Sequence, residues 1–118
     1  MYSRLRALWL AVLLGAALAT PAWCGGYQAG VKITKIYTNT TTGVIIFQTS
    51  GSSTGAPACM NSQWPFAYQG STSNQAAAAT TALLISAMTT GTTVRLDGAG
   101  TCNVSSGSED LIDVYYNN

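Results

Sequence analysis

Residues 70–96 constrain the fold most, because they predict a helix that a glycine ends and a strand follows. The stretch reads GSTSNQAAAATTALLISAMTTGTTVRL. Thr72 and Gln75 have the T-x-x-Q spacing of a capping box, and the four alanines that follow have the highest helix propensity. The helix is therefore predicted to begin near Ser73. Gly91 suits the left-handed conformation that ends many helices.

The predicted helix has one apolar face, whose residues recur three and four positions apart. These residues are Ala76, Ala79, Leu83 and Ala87, with Leu84 and Met88 beside them. We expect Leu83, Leu84 and Ala87 to lie in the core, together with Val94 of the strand that follows.

Residues 1–24 have the pattern of a secretory signal peptide. Arg4 and Arg6 form a basic region, residues 8–19 an apolar region, and residues 19–24 are mostly small. The apolar run is shorter than the roughly 20 residues of a membrane span, which argues against an anchor. Lipidation of Cys24 is disfavoured by the bulky Trp23 before it. Cleavage after Ala22 and after Cys24 both stay open, and we favour the second.

Cysteine number supports the second cleavage point. If Cys24 leaves with the leader, Cys59 and Cys102 remain, an even number that suits one disulfide in an oxidising compartment. Such a bridge stabilises a domain by about 4 kcal/mol in the chain-entropy model. Two cysteines without a histidine cannot complete a zinc site, so no metal is expected.

The charge balance excludes one class of partner. Beyond residue 24 the formal net charge is −1, and no basic patch is present, so nucleic-acid binding is not expected. Thr, Ser, Asn and Gln fill the segments between the predicted elements. Such a surface suits binding of neutral polar matter, and solubility alone would explain it equally well.

The remaining elements are strands, predicted at 31–38, 44–49, 58–68, 93–98 and 109–116. The first changes face near Lys35, which predicts a bulge. Gly43 is expected in the turn before the second. Pro65 must end the third or place it at an edge. The order β-β-β-α-β-β predicts a mainly β protein with one helix: an OB-fold, a five-stranded Greek-key barrel closed at one end by the helix, formed by a single domain at 25–118.

Several segments in this order resemble a known family. ACMNSQW, a helix ending LLISAMTTG, then TTVRLDG and a later cysteine look like the B subunit of subtilase cytotoxin and other pertussis-like toxin B subunits, including small exported bacterial relatives. The resemblance covers nearly all of 30–116. It implies a pentamer of OB-folds that binds sialylated or other glycans on host cells.

One departure from the family limits this inference. The family carries a serine, central to sialic-acid binding, just before the first strand. The matching stretch here is YQAG at 27–30, without a serine. The sialic-acid site is therefore not carried over.

Catalysis has little support in the sequence. The chain has no histidine, and Cys59 is better explained as half of a disulfide. Glu109, Asp110 and Asp113 are the clustered carboxylates, with Glu109 and Asp113 on one face of the predicted strand. We expect them to be solvated at a strand edge rather than to form a glycosidase pair. No enzyme activity and no cofactor are predicted.

Candidate binding residues fall into two groups. The aromatic candidates are Trp64 and Tyr68, which either stack on a ligand or pack in the barrel. The polar candidates lie in the loops 39–43 and 98–108, where OB-folds commonly bind ligands. They are Asn39, Thr41, Asn103 and Ser105. Local turn hydrogen bonds are the competing explanation for these polar residues.

These observations together predict an exported, non-enzymatic binding module, secreted or periplasmic, without a membrane span after cleavage. Its partner would be a cell-surface glycan, and the resemblance adds a possible homopentamer. The alternative is a structural or interaction protein that pairs with another exported protein through a barrel edge, without glycan binding.

Overall fold

A computed structural model describes residues 25–70 and 74–117. The predicted signal peptide and Thr72 of the predicted capping box lie outside the described residues. The elements are β1 (Tyr27–Val31), β2 (Ile33–Thr38), β3 (Val44–Thr49), β4 (Phe66–Gln69), α1 (Gln75–Thr90), β5 (Val94–Gly98) and β6 (Glu109–Tyr116). The protein is mainly β with one helix, as predicted, but the described strands number six rather than five.

The six strands form one curled, mixed sheet. Their order is β1-β5-β6-β4-β3-β2, with antiparallel neighbours except for the parallel pair of β4 and β6. The strands at the two ends of this order, β1 and β2, are separated in the chain by Lys32 alone. The sheet thus curls into a half-barrel, because one nearly continuous segment contributes to both of its ends.

The segment predicted as one strand at 31–38 contains the last residue of β1 and the whole of β2, and β1 begins earlier, at Tyr27. Val31 pairs with Val94 of β5, whereas Ile33 pairs with Thr49 of β3. The register shifts between Ile33 and Lys35, so the predicted bulge is confirmed. The prediction of a single strand was wrong because the chain changes pairing partner at Lys32.

The predicted third strand at 58–68 was too long. β4 begins at Phe66, and 58–63 are not in a strand. The Asn61 side chain accepts hydrogen bonds from the backbone amides of Gln63 (3.0 Å) and Trp64 (3.1 Å), which turns the chain before Pro65. Local side-chain bonding has replaced strand pairing here.

The helix begins and ends at two well-defined caps. The Asn74 side chain accepts from the amide of Ala76, and Gly91 has the predicted left-handed conformation (φ 68°). The buried residues of the helix are Ala77, Leu84 and Ala87. The prediction of which helix face is buried was therefore partly wrong.

Ala76, Ala79 and Met88 are exposed and Leu83 is half-buried. Because 76–79 are all alanine, their sequence cannot distinguish one face of the first turns from another. The face that packs is set by the larger residues that follow.

The core lies between the helix and the inner face of the sheet. Phe47 and Phe66 are fully buried and stack with ring centroids 6.0 Å apart. Leu84, Ala87 and Val94 are fully buried as predicted, and Leu83 packs against this core. The disulfide between Cys59 and Cys102 is present, with Cα atoms 6.2 Å apart. Within the described residues no helix is long and apolar enough to cross a membrane.

The carboxylates of β6 do not share the expected environment. Glu109 is fully buried, whereas Asp113 is exposed and Asp110 is half-buried. Asp97 pairs with Asp113 but Gly98 pairs with Leu111, so β6 has an extra residue at Ile112. That bulge reverses the alternation of faces, and the prediction that Glu109 and Asp113 are both solvated on one face was wrong.

Candidate functional site

Residues of the loops 39–43 and 98–108 line one cleft of about 250 Å³. We call this the polar-loop cleft. Its lining residues are Tyr37, Asn39, Thr42, Val44, Ile46, Val104 and Ser105. Asn39 and Ser105 are thus brought together. Thr41 and Asn103 do not line the cleft.

The polar atoms of the first loop bind their own backbone. Asn39 Oδ1 accepts from the amides of Thr41 (3.0 Å) and Thr42 (3.1 Å). The Gly43 amide donates to the Asn39 carbonyl (2.8 Å), with Gly43 at φ 73°. The Asn39 side chain therefore shapes the β2–β3 turn, and its carboxamide oxygen is already used there.

Asp110 organises the second loop in the same way. Its carboxylate accepts from Thr101 Oγ1 (2.6 Å) and from the amides of Asn103 (3.0 Å) and Val104 (2.8 Å). Burial, the largest single effect, raises the pKa of Asp110, but these hydrogen bonds together outweigh it and the pKa is lowered. Asp110 is therefore ionised and fixes the loop that carries Asn103 and Ser105.

Trp64 lies next to the polar-loop cleft through its contact with Tyr37. The two rings are 6.3 Å apart and tilted by 58°, and Lys35 Nζ lies 6.0 Å from the Trp64 ring centroid. Trp64 is half-buried and Tyr37 is 50% exposed. Tyr37 was missed as a site candidate, although its place in a predicted strand beside the turn was visible in the sequence.

Tyr68 is separate from these residues and is 7% exposed. Its ring packs edge-on against Phe47, and its hydroxyl lies 2.7 Å from Thr81 Oγ1. Burial raises the pKa of Tyr68, and the bond to Thr81 offsets this only in part. Tyr68 borders a depression of about 240 Å³ beneath α1. The structure places its ring in the core rather than on a stacking surface.

A larger cleft, of about 590 Å³, lies on the outer face of β1, β5 and β6. We call it the Tyr27–Tyr115 cleft. Its side-chain lining consists of Tyr27, Arg95, Asp97, Ile112, Asp113 and Tyr115, and Gly25, Gly26 and Gly98 complete it. Tyr27 and Tyr115 are 40% and 45% exposed. Two exposed tyrosine rings thus line this cleft, which Trp64 and Tyr68 do not line.

Strand register assembles the Tyr27–Tyr115 cleft. Tyr27 pairs with Asp97, and Asp97 pairs in turn with Asp113. Arg95 pairs with Tyr115. Since β5 buries Val94 and Leu96, alternation directs its charged residues outward.

An ion pair is part of the lining of this cleft. Arg95 Nε donates to Asp97 Oδ1 at 3.1 Å, and the guanidinium carbon lies 4.8 Å from the Tyr27 ring centroid. The hydrogen bond to Asp97 raises the pKa of Arg95, so the guanidinium stays charged. The cleft can therefore combine ring stacking with charge-assisted hydrogen bonds. No local sequence pattern indicates that these residues meet.

Neither cleft has the composition of a metal centre. In the part of the chain that the structure describes, no three His, Cys, Asp or Glu side chains are grouped to hold a metal ion. Comparison of the sequence with protein families finds none that matches, and comparison with curated proteins gives no significant match.

Proposed function

We propose that this chain is an exported, non-enzymatic binding module that takes a glycan in the Tyr27–Tyr115 cleft. The observation that carries the proposal is the Arg95–Asp97 ion pair between two exposed tyrosines in a concave surface of about 590 Å³. Ligand sites typically combine apolar and aromatic walls with a few fixed polar groups. This cleft has that combination.

A sugar suits this chemistry because its two kinds of surface match the lining. The C–H face of a pyranose packs on an aromatic ring, and its hydroxyls both donate and accept hydrogen bonds. Arg95 supplies donors, Asp97 and Asp113 supply acceptors, and Tyr27 and Tyr115 supply rings. Rigid strands hold all five residues, which limits the ordering cost of binding.

The proposal includes the OB-fold. Three features support it: β1 and β2 are interrupted only at Lys32, β4 pairs with β6 in parallel, and α1 connects β4 to β5. Counting β1 and β2 as one bent strand gives five strands around a barrel. Export is supported by the apolar leader pattern and by the Cys59–Cys102 disulfide, since disulfides persist in oxidising compartments.

The resemblance to toxin B subunits adds a homopentamer to the proposal. Light scattering on the domain that begins at residue 25 would measure its mass directly. We expect five times the monomer mass, and a monomer at micromolar concentration would contradict this element without affecting the cleft.

The test of the cleft is a glycan array probed with wild type and with Tyr115→Ala and Arg95→Lys variants. We expect at least a tenfold loss of binding for each variant, because the first removes a ring and the second the planar guanidinium fork. The matched control is Asn103→Ala with Ser105→Ala, in the loop whose Ser105 lines the polar-loop cleft, and it should bind like wild type. Loss of binding only in this control would move the site to the polar-loop cleft.

The second candidate function is an interaction protein without glycan binding. The observation that favours it is β2, an end strand of the sheet whose residues Tyr37 and Thr38 are exposed, with the Tyr37 ring next to Trp64. An end strand can pair with a strand of a partner. An empty array, together with crosslinking of an exported protein to β2, would favour this function over glycan binding.

A further inference from the structure

Among the residues that the structure describes, Glu109 is the one charged side chain that is buried. Its side chain is fully buried at the start of β6, opposite Phe66 of β4. The Gly26 amide donates to both of its oxygens, at 3.0 Å to Oε1 and 2.9 Å to Oε2. The Gly100 amide donates to Oε2 at 3.4 Å. Two backbone amides are thus the hydrogen-bond donors of a buried anion.

No described cationic side chain neutralises this carboxylate. Residues 25–70 and 74–117 contain Lys32, Lys35 and Arg95 as cations. Arg95 pairs with Asp97, and both lysines are exposed. An uncompensated buried charge is costly, so a cation near Glu109 would stabilise the fold.

The pKa of Glu109 is raised, which also fits a carboxylate without a neighbouring cation. Burial raises its pKa most, the hydrogen bonds from Gly26 and Gly100 lower it in part, and the charge of Asp110 raises it again. The elements packed against the carboxylate contribute uncharged groups, namely Phe66 of β4, Gly98 of β5 and the backbone at Gly26.

The chain around Gly25 and Gly26 is packed closely against this carboxylate. A Cβ at Gly25 would overlap the Gly98 carbonyl, and a Cβ at Gly98 would overlap the Glu109 carboxylate. A Cβ at Gly26 would lie 2.7 Å from Glu109 Oε1 and 2.9 Å from the Ala56 Cα. Glycine is therefore required at all three positions.

Hydrogen bonds fix this segment on both sides. The Gly98 amide donates to the Gly26 carbonyl at 2.8 Å, and Tyr27 exchanges backbone hydrogen bonds with Thr54 at 3.0 and 2.9 Å. The path of the chain from Gly26 onward is thus fixed by hydrogen bonds within the fold.

We propose that cleavage after Cys24 makes Gly25 the first residue of the mature chain, and that its new α-ammonium group pairs with the buried Glu109 carboxylate. A peptidase would add water across the Cys24–Gly25 bond. The Cys24 carbonyl carbon then becomes a carboxylate on the leader, and the Gly25 nitrogen becomes an amine that takes up a proton. This inference rests on the export part of the proposed function.

Distance supports the pairing. Standard bond lengths place the nitrogens of Gly25 and Gly26 no more than about 4 Å apart, so the ammonium lies within about 7 Å of a Glu109 oxygen before any adjustment. The conformational freedom of glycine allows the ammonium to turn toward the carboxylate. A chain cut after Ala22 would instead begin two residues further away, which leaves the carboxylate uncompensated. Glu109 therefore distinguishes the two predicted cleavage points.

The test compares three N-termini: free Gly25, N-acetylated Gly25, and a chain extended from Trp23 with Cys24→Ser. NMR titration would measure the Glu109 carboxyl pKa in each form and the Gly25 α-amino pKa in the first. We expect the α-amino pKa to rise above its usual range of about 7.7–8.0. The Glu109 pKa should be lowest in the free Gly25 form.

Thermal melts against pH supply the second readout. Because pairing should raise the folded α-amino pKa, the added stability should be fully present just below pH about 7.7, as long as Glu109 is ionised, and should be lost as pH rises through the raised value. The free form should therefore melt above the acetylated form near pH 7, and the two should converge at high pH. Glu109→Gln should remove the difference between them.

Two results would overturn the proposal. One is an equal Glu109 pKa in the free and acetylated forms, which does not depend on the folding of the Glu109→Gln variant. The other is an exported protein whose intact mass shows that it begins elsewhere than at Gly25. Neither outcome bears on glycan binding, which the Tyr115 and Arg95 variants test separately.

Discussion

The two clefts of this protein differ in their polar groups: the polar-loop cleft has neutral amides and hydroxyls, whereas the Tyr27–Tyr115 cleft has charged side chains. In the polar-loop cleft, Asn39 already binds two backbone amides and the adjoining loop is held by Asp110. In the Tyr27–Tyr115 cleft, Arg95 and Asp97 bind each other on an open sheet face between exposed rings. Loops that are rich in Asn and Thr use these residues to hold their own shape, whereas strands are already held by pairing and can direct side chains to a ligand.

The largest effect should come from the core that supports both clefts. Leu84→Asp would place an unpaired charge at a fully buried position, so we expect no folded protein. Circular dichroism and gel filtration of the purified variant would measure this. Ile85→Asp, at a neighbouring position that is 48% exposed, is the matched control and should fold. A soluble Leu84→Asp variant with an unchanged melt would contradict the assigned core.

Removal of the disulfide should affect the two clefts differently. Cys59 and Cys102 connect the segment before β4 to the loop of the polar-loop cleft. Cys59→Ser with Cys102→Ser should lower the free energy of unfolding by about 4 kcal/mol in urea titrations. At temperatures where the variant is still folded, glycan binding in the Tyr27–Tyr115 cleft should persist.

The disulfide prediction has its own control. A reducing agent should destabilise wild type and leave the double variant unchanged. Peptide mapping of the purified protein without reduction should recover Cys59 and Cys102 in one linked pair, and two free thiols would contradict the claim.

Asp110→Asn should destabilise the loop of the polar-loop cleft and leave the Tyr27–Tyr115 cleft unchanged. The amide replaces a carboxylate that accepts three hydrogen bonds, so we expect a loss of roughly 1–2 kcal/mol at neutral pH. Because the pKa of Asp110 is lowered in the folded protein, its contribution is present above about pH 3.9 and is lost as pH falls through the folded value. The variant and wild type should therefore converge in acid.

The control for this variant is Asp113→Asn, at an exposed position on the same strand. Its free energy of unfolding should stay within about 0.5 kcal/mol of wild type. An equal loss in both variants across all pH values would mean that the hydrogen bonds of Asp110 do not hold the loop.

The same contrast explains what the sequence could predict. β3, β6, the glycine that ends α1 and the disulfide were predicted because local propensity and cysteine number decide them. The Tyr27–Tyr115 cleft was not, because Tyr27, Arg95 and Tyr115 meet only through the register of three strands. Burial of Glu109 also escaped prediction, since a bulge at Ile112 reverses the face on which the carboxylates lie.

The smallest expected effect distinguishes a turn residue from a ligand-binding residue. Asn39→Ala with Thr41→Ala removes the side-chain oxygen that accepts from two backbone amides, so the free energy of unfolding should fall by about 1 kcal/mol. Asn39→Asp retains a side-chain oxygen that can accept these hydrogen bonds, so its free energy of unfolding should stay close to that of wild type.

Glycan affinity should remain within about twofold of wild type in both of these variants, whereas Tyr115→Ala should lose at least tenfold, about 1.4 kcal/mol. The Asn39 result is decisive because its stability and binding readouts are independent. If the double alanine variant lost tenfold in affinity while its melting temperature stayed unchanged, Asn39 would be a ligand contact. The polar-loop cleft would then be the binding site. It would no longer hold for this protein that loop side chains hydrogen-bond to their own backbone while strand side chains contact the ligand.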